Sequence, residues 1–406
     1  MGVIRNFYVR EVAMKKLLVI GMVCAVIVPV CGDEKPAVKP VSVLVEQLKE
    51  SDAAKRRAAA VALAGRKGQA RVTVPALAQA LKDKDSSVQR AAALALGTLG
   101  ADARAATPAL IEALRSEDSK LRRSAIVALG AIGPGAKAAV PALTEALQGK
   151  EATLHQPAAT ALGDIGAAAK SAVPALAAAL KSDDAGLREA ASAALINVGP
   201  AAATAVPALE KALEDKQGAV RHAAAAALGA IGPEAKSAVG ALTGRLADEV
   251  PSIREEAALA LAAIGPESKP AVPTLAKLLK EDKNEAVRHA AASALGAIGP
   301  AAKEAVPALA AALKDKDEDV RHAAAYALGE LGAAAGDAVE ALAAALKDGN
   351  ENVRAEAAYA LGMIGAAAKG KTTALKAALE DQDETVRKAA GDALKNLENK
   401  AAAPPR

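Results

Sequence analysis

The sequence predicts an all-α fold, a right-handed α-solenoid (superhelix) of about eleven two-helix repeats with a 33-residue period. Three observations carry this expectation. First, leucine returns at Leu63, Leu96, Leu129, Leu162, Leu195, Leu228, Leu261, Leu295, Leu328, Leu361 and Leu394, with one slip of a residue between Leu261 and Leu295. That slip places an insertion near Lys283. Second, Val206, Leu209 and Leu213, then Val220, Ala224, Leu228 and Ile231, fall three and four residues apart, giving one apolar stripe on each of two helices. A lone pair cannot cover those stripes, so each unit hides its own against the next. Third, the 406-residue chain is 52% hydrophobic but only 1% aromatic, and the repeats show no strand-like alternation. Alanine packs helices closely and has the highest helix propensity, so such a composition suits a stack of helix layers.

In chain order, Lys15 and Lys16 precede an uncharged run from Leu17 to Gly32. Sixteen residues are short for a spanning helix and suit the core of a secretory signal, so residues 1–32 read as an export segment with Met14 as its start. Two exits are open. Val28, Pro29, Val30 and Cys31 resemble a bacterial lipoprotein box, with Cys31 as the lipidation site; cleavage after Gly32 releases a soluble protein instead. Both cysteines, Cys24 and Cys31, lie in or beside this segment, so the repeats hold no disulfide. Residues 33–40 form a linker, and 398–406 a tail. The array runs from 41 to 397, with units beginning near 41, 74, 107, 140, 173, 206, 239, 272, 306, 339 and 372.

Within the units, Pro75, Pro108, Pro141, Pro174, Pro207, Pro273 and Pro307 mark the first turn of the leading helix, where a missing N–H costs little. Glycine from Gly100 to Gly365, once per unit, marks the end of the trailing helix, where a left-handed cap needs it. The first unit carries Lys55 and Ser42 at usual valine and proline positions, and the last carries Lys388, Asp392, Lys395 and Asn396, as terminal units facing water should. Three departures lie inside the array. Pro157 is expected to delay or kink the trailing helix of the fourth unit; Gly240 and Gly244 loosen the leading helix of the seventh; Val250-Pro251 replaces its polar cap.

The recurring D-x-x-V-R-x-A-A-x-A-L-G-x-I-G, followed by A-V-P-A-L-x-x-A-L, resembles the HEAT-repeat superfamily, and the short period resembles its bacterial phycobilisome-lyase-like branch. The resemblance covers nearly all of the mature chain and implies the solenoid fold. It implies several functions: proteins of this kind include scaffolds, phycobilin-lyase-like chromophore lyase subunits and a di-iron oxidoreductase, deoxyhypusine hydroxylase. Such a fold names no chemistry by itself.

Two polar columns read as structural. Asp52, Asp85, Asp118, Asp184, Asp317 and Asp383, with Asn284 and Asn350, stand where helix N-caps prefer such side chains. Arg56, Arg122, Arg188, Arg221, Arg254, Arg288, Arg321, Arg354 and Arg387 stand one turn further on, with Gln89 and His155 as exceptions. The two columns are expected to run side by side as a carboxylate–guanidinium ladder. The hydroxylase to which the resemblance points carries His-Glu pairs after such an arginine. Here Ala223, Ala290 and Ala323 follow His222, His289 and His322, while Glu256 and Glu356 follow Glu255 and Ala355, so no repeat contains the pair. No metal site and no cofactor are expected. Phosphate-loop, CxxC and nucleophile-elbow motifs are absent from the sequence.

Function is therefore expected on the surface. The most variable column reads Val61, Leu94, Val127, Thr160, Ala193, Ala226, Leu259, Ser293, Tyr326, Tyr359, Asp392. Tyr326 and Tyr359 stand one repeat apart on the layer that usually lines the concave side in the family resembled. They read either as binding anchors, since aromatics are enriched at hot spots, or as fillers between helix ridges. Arg57, Arg90 and Arg123 share one register and form a candidate basic row for an acidic protein or anionic surface. Residues 41–133 carry net +6 and 134–397 net −6. Nucleic acid is not expected as a partner, because the chain without residues 1–31 falls to net +1 and the row has no interleaved aromatics. The sequence thus reads as an exported monomeric scaffold, without catalysis, that holds a protein partner. Membrane contact is expected only through Cys31.

Overall fold

The computed structural model describes residues 39–402. The export segment with Met14 and Cys31, most of the linker and the last four residues lie outside them. Among the described residues there are 22 α-helices, in eleven leading and trailing pairs, and no strand. The chain is an all-α solenoid. It divides into two compact units, one ending at Ala139 and one beginning at Val140.

The N-terminal unit has leading helices Val41–Gln47, Ala70–Ala80 and Thr107–Ala113, and trailing helices Ala53–Leu63, Ser86–Leu99 and Ser119–Ile132. The C-terminal unit repeats the pattern eight times, from Val140–Gln148 with Ala152–Ile165 to Thr372–Ala378 with Glu384–Ala402. The last helix thus runs five residues past the expected end of the array at 397. Within each unit a trailing helix packs on its own leading helix and, most extensively, on the trailing helix of the next repeat of that unit. The stripes read from the sequence are what this packing buries: Leu209, Val220, Ala224, Leu228 and Ile231 are at most 1% exposed.

The turn expected between repeats is a third element, a 3-10 helix such as Gly199–Ala205 or Gly299–Ala305. Three residues per turn place i and i+3 on one side. Ala202 and Ala205, or Ala302 and Ala305, accordingly bury together. The glycine that opens this element has positive φ, as a cap should, but ψ lies near −140° rather than in the left-handed helical well: Gly199 has φ 68°, ψ −140°. This mirror of the β region excludes side chains more strictly than the expected cap. Where Lys67 replaces that glycine, the preceding helix stops at Leu63 and the 3-10 segment shrinks to Lys67–Gln69. The next helix then starts early at Ala70, so Pro75 sits inside it instead of in its first turn. In the other six, proline occupies the second helical position.

A second glycine column has a steric reason that the sequence pattern did not reveal. A methyl group added at Gly163 would lie 2.8 Å from Cα of Ala194 in the next trailing helix, and one at Gly362 would lie 2.8 Å from Cα of Ala393. Trailing helices approach closely because these positions are bare.

The departures disturb less than expected. The helix Ala152–Ile165 starts on register and continues through Pro157, since Ala158, Ala159, Ala161 and Leu162 beyond it are all buried and packing outweighs one lost hydrogen bond. Val239–Arg245 keeps seven residues despite its two glycines. The extra residue lies just before Lys283, where the leading helix extends to Glu281. Leu279 there keeps the buried place that Leu246 holds one repeat earlier.

Candidate binding face and the ion-pair ladder

The capping column behaves as read. Asp52 accepts from the Ala54 N–H at 2.8 Å, Asp85 from Ser87, Asp118 from Lys120, Asp184 from Gly186, Asp317 from Val320 and Asp383 from Thr385. Asn284 and Asn350 do the same.

The arginine column does not pair with it. Its partners are a different set of aspartates, two residues ahead of the caps and one repeat further on. Arg221 donates from Nε to Asp248 Oδ2 at 2.9 Å and from Nη2 to Oδ1 at 3.0 Å, while its Nη1 reaches the Asp215 carbonyl of its own repeat at 2.9 Å. The Asp248 carboxylate also accepts the Val250 N–H at 3.1 Å. Each guanidinium therefore ties its own inter-helix turn to the next one. The same fork joins Arg56 to Asp83, Arg188 to Asp215, Arg254 to Asp282, Arg288 to Asp315, Arg321 to Asp348 and Arg354 to Asp381. Arg387 keeps the half within its repeat, to the Asp381 and Gln382 carbonyls. So do the exceptions: Gln89 donates to the Asp83 carbonyl at 2.6 Å and His155 to the Gly149 carbonyl at 2.7 Å. Arg122 likewise donates to the Ser116 carbonyl.

Bidentate geometry with little water makes these strong contacts. The Arg188 and Arg354 guanidiniums hold Asp215 and Asp381 below the usual carboxylate range. Side chains as covered as Arg221 (9% exposed) and Asp248 (3%) fasten repeats to one another. A signal for the missed column was present: 27 residues after Gln89 and His155 stand Ser116 and Ser182, so the aspartate is lost where the arginine is lost.

The variable column lies on the trailing helices and is exposed in part. Among the described residues eight large apolar side chains are exposed, and five of them, Val61, Leu94, Val127, Tyr326 and Tyr359, belong to this one column. Two more, Val43 and Val72, lie on leading helices, and Leu379 follows one. In the middle of the column Ala226 is buried and Leu259 half-buried.

One turn before the three aliphatics of the N-terminal unit stand Arg57, Arg90 and Arg123. Arg57 and Arg123 are exposed. Arg90 is partly committed, donating to Asp118 Oδ2 at 2.6 Å and to Ser86 Oγ at 3.2 Å. The basic row is thus weaker in its centre than its spacing implies.

In the C-terminal unit the corresponding turn carries histidine and glutamate. The reading that no His-Glu pair exists holds within each repeat but not between repeats, because stacking brings the glutamate one repeat on against the histidine. His222 Nε2 lies 3.9 Å from Glu256 Oε2, and His322 Nε2 lies 3.7 Å from Glu356 Oε2. Burial pushes both carboxyls up to about 7, with Glu255 adding to the shift at Glu256 and Glu330 at Glu356. Among the described residues no group of three or more His, Cys, Asp or Glu is placed to hold a metal ion. Tyr359 packs its ring edge over Gly329, a methyl at which would sit 3.4 Å from Cδ1 and Cε1.

A family model of HEAT repeats matches residues 41–108, 107–196, 188–262, 206–296, 241–329 and 306–395. No curated protein matches the chain. Among solved structures, importin beta is similar, with TM-score 0.54 and 17% identity over 90% of this chain and 56% of its own. Kap121p is similar with TM-score 0.53 and 15% identity over 91% and 46%, and Kap121p bound to Pho4p with TM-score 0.52. The chain therefore spans about half the length of these solenoids, and the likeness is one of fold. With family matches running from residue 41 to 395 and the same helix pair in every one of them, the chain belongs to the HEAT-repeat family.

Proposed function

We propose that this protein is a non-catalytic scaffold that binds a protein partner through exposed side chains on its trailing helices. One observation carries the reading: among the described residues, five of the eight exposed large apolar side chains fall in one column of the repeat. Isolated exposed apolar residues need no explanation, whereas aligned ones mark an interaction surface. Kap121p, a solenoid of similar fold, is bound to Pho4p in one structure, and a comparable use of stacked helices is proposed here. The Lys15–Gly32 pattern supports export, with Cys31 either acylated or removed. The array is proposed to act as a monomer.

The test is capture of partners from an envelope extract by the wild-type chain and by two variants. One carries serine at Val61, Leu94, Val127, Tyr326 and Tyr359; the other carries serine at Val43, Val72 and Leu379. Loss of a defined partner from the first variant alone is the expected result. Equal capture by all three would overturn the reading.

The two inter-repeat His–Glu pairs favour one alternative, a hydroxylase-like enzyme of the phycobilisome-lyase-like branch or its relatives. Each pair offers two ligands from neighbouring repeats. Stoichiometric iron in the purified protein would establish that alternative, and a tetrapyrrole absorption band would establish the lyase one.

A further inference from the structure

One polar atom stands out. Among the described residues, Glu356 Oε1 is the buried side-chain oxygen without any hydrogen-bond partner. Leaving such an atom unsatisfied is costly, and burial of a carboxylate with a second carboxylate nearby raises that cost. The surroundings are specific. Glu356 lies on Glu351–Ile364, three residues before Tyr359 on the same face. The preceding trailing helix, Glu318–Leu331, brings His322 to 3.7 Å from the other oxygen. It also brings Tyr326 and Glu330, one turn apart, to the same edge.

The Tyr326 hydroxyl feels both carboxylates. Its pKa is raised by burial first, then by Glu330 and Glu356, with Tyr359 contributing. Two aromatic rings, both about 40% exposed, and two carboxylates thus share one patch. The fold supplies no arginine or lysine there among the ion pairs of Glu356 or Glu330, although every carboxylate of the ladder receives one.

We propose that the patch formed by Tyr326, Glu330, Glu356 and Tyr359 seats one basic side chain, arginine or lysine, of the protein segment bound on this face. The proposal rests on the scaffold reading and specifies its chemistry at the C-terminal end of the column. A cation gains an ionic hydrogen bond from Glu330 and, above about pH 7 where Glu356 sheds its proton, from Glu356 as well, with quadrupole attraction from the ring faces. Glu356 gains the donor that its orphaned oxygen lacks, by rotating its carboxyl outward from the present rotamer. Neutral and anionic side chains gain neither, so the patch discriminates by charge.

The chain suits a direct test because it contains no tryptophan and three tyrosines, of which Tyr326 and Tyr359 are the two in the array. Intrinsic tyrosine emission therefore reports mainly on this patch. The full-length protein is titrated with n-butylguanidinium and n-butylammonium as side-chain mimics, and with butylurea as the neutral isostere. A saturable change with a cation, absent with butylurea, is expected. Glu356→Gln should weaken the cation about tenfold or more while leaving far-UV circular dichroism unchanged, as expected for loss of an ionic hydrogen bond. Glu330→Gln serves as a second variant should Glu356→Gln fold poorly.

No preference for cations over butylurea, or equal affinity in a folded glutamine variant, overturns the seat. Flat titrations combined with loss of partner capture in the column variant reject the seat and leave the scaffold standing. A saturable cation titration with unaltered capture supports the patch as a cation site but overturns its place in partner binding, together with the scaffold reading.

Discussion

The two units are built from the same 33-residue text, yet they differ in how repeats are fastened and in what they show to solvent. In the C-terminal unit six consecutive arginines, Arg188 to Arg354, each fork onto an aspartate one repeat on. The N-terminal unit has the rung Arg56 to Asp83, but its next position holds Gln89, which donates within its own repeat. Outside, the N-terminal unit pairs aliphatic Val61, Leu94 and Val127 with arginines, and the C-terminal unit pairs tyrosines with glutamate and histidine. Fastening and presentation thus use separate columns of one helix. A column turned inward is held by geometry, whereas the exposed one is free to differ, and the proposed binding is assigned to it.

Breaking a rung should have the largest effect. Arg221→Leu takes the bidentate partner from Asp248, 3% exposed, and leaves it only Arg245 Nη1 at 3.5 Å as counter-charge, which should cost about 3 kcal/mol, the low end for a broken buried pair. Gln89→Leu removes one neutral hydrogen bond and should cost about 1 kcal/mol. Urea midpoints of the full chain measure both. Because each repeat contacts only its neighbours, hydrogen exchange should place the Arg221→Leu loss in residues 218–264 and spare residues 41–139. Equal midpoints for the two variants would show that the ladder does not fasten the repeats.

Helix approach gives the next effect. Gly163→Ala puts a methyl 2.8 Å from the Ala194 backbone, and overpacking of this kind should cost about 1–3 kcal/mol. The comparison is Gly97→Ala, where the closest backbone atom is 3.2 Å away and the neighbour has less to yield. Thermal midpoints that drop equally for both would show that the spacing adjusts freely.

Opposite pKa shifts separate the units by pH. Glu256 titrates in the folded chain at about 7, raised by burial and then by Glu255, against about 4.3 unfolded. Between those values the folded state holds the extra proton, so this group's contribution is largest below pH 4.3 and is lost as pH rises towards 7. The ladder carboxyls run the other way. Asp215 is depressed by Arg188, so its contribution is present above about pH 4 and is lost as pH falls through the folded value. The C-terminal unit should therefore be most stable near pH 5. In the N-terminal unit the shifted carboxyls, Asp83, Asp85 and Asp118, are all depressed, so no loss towards neutrality is expected there. Glu256→Gln should recover roughly 1–2 kcal/mol at pH 8 and flatten the profile, measured by hydrogen exchange at stepped pH. A profile unchanged by the substitution would place the raised group elsewhere.

The sequence made the solenoid legible because period and helical stripes are local and repeated eleven times. It made the caps legible because Asp85 and Ser87 are two residues apart and need no partner beyond their own turn. Contacts between repeats were harder. Arg221 finds Asp248 at a separation of 27, and His322 finds Glu356 at 34, and neither distance belongs to a helix or to the 33-residue period. The 3-10 element was hidden as well, since its two alanines three apart look like any stretch of an alanine-rich chain. Exposure of Tyr326 and Tyr359 could not be read at all from a column whose middle member, Ala226, is buried.

The separation of 27 offers the finest test of the comparison. Gln89→Arg with Ser116→Asp would write a second rung into the N-terminal unit. Neither change alone should help. An arginine at 89 would meet Ser116, and Ser116 already accepts the Asp118 N–H at 3.2 Å, half of what aspartate does elsewhere. Together they should form the fork, with a coupling of about 0.5–1.5 kcal/mol in a double-mutant cycle. The net gain should be smaller, because Gln89 gives up its 2.6 Å bond to the Asp83 carbonyl and two charges lose water. A coupling near zero would mean that the C-terminal ladder depends on its unbroken length rather than on each pair, making fastening a property of the row.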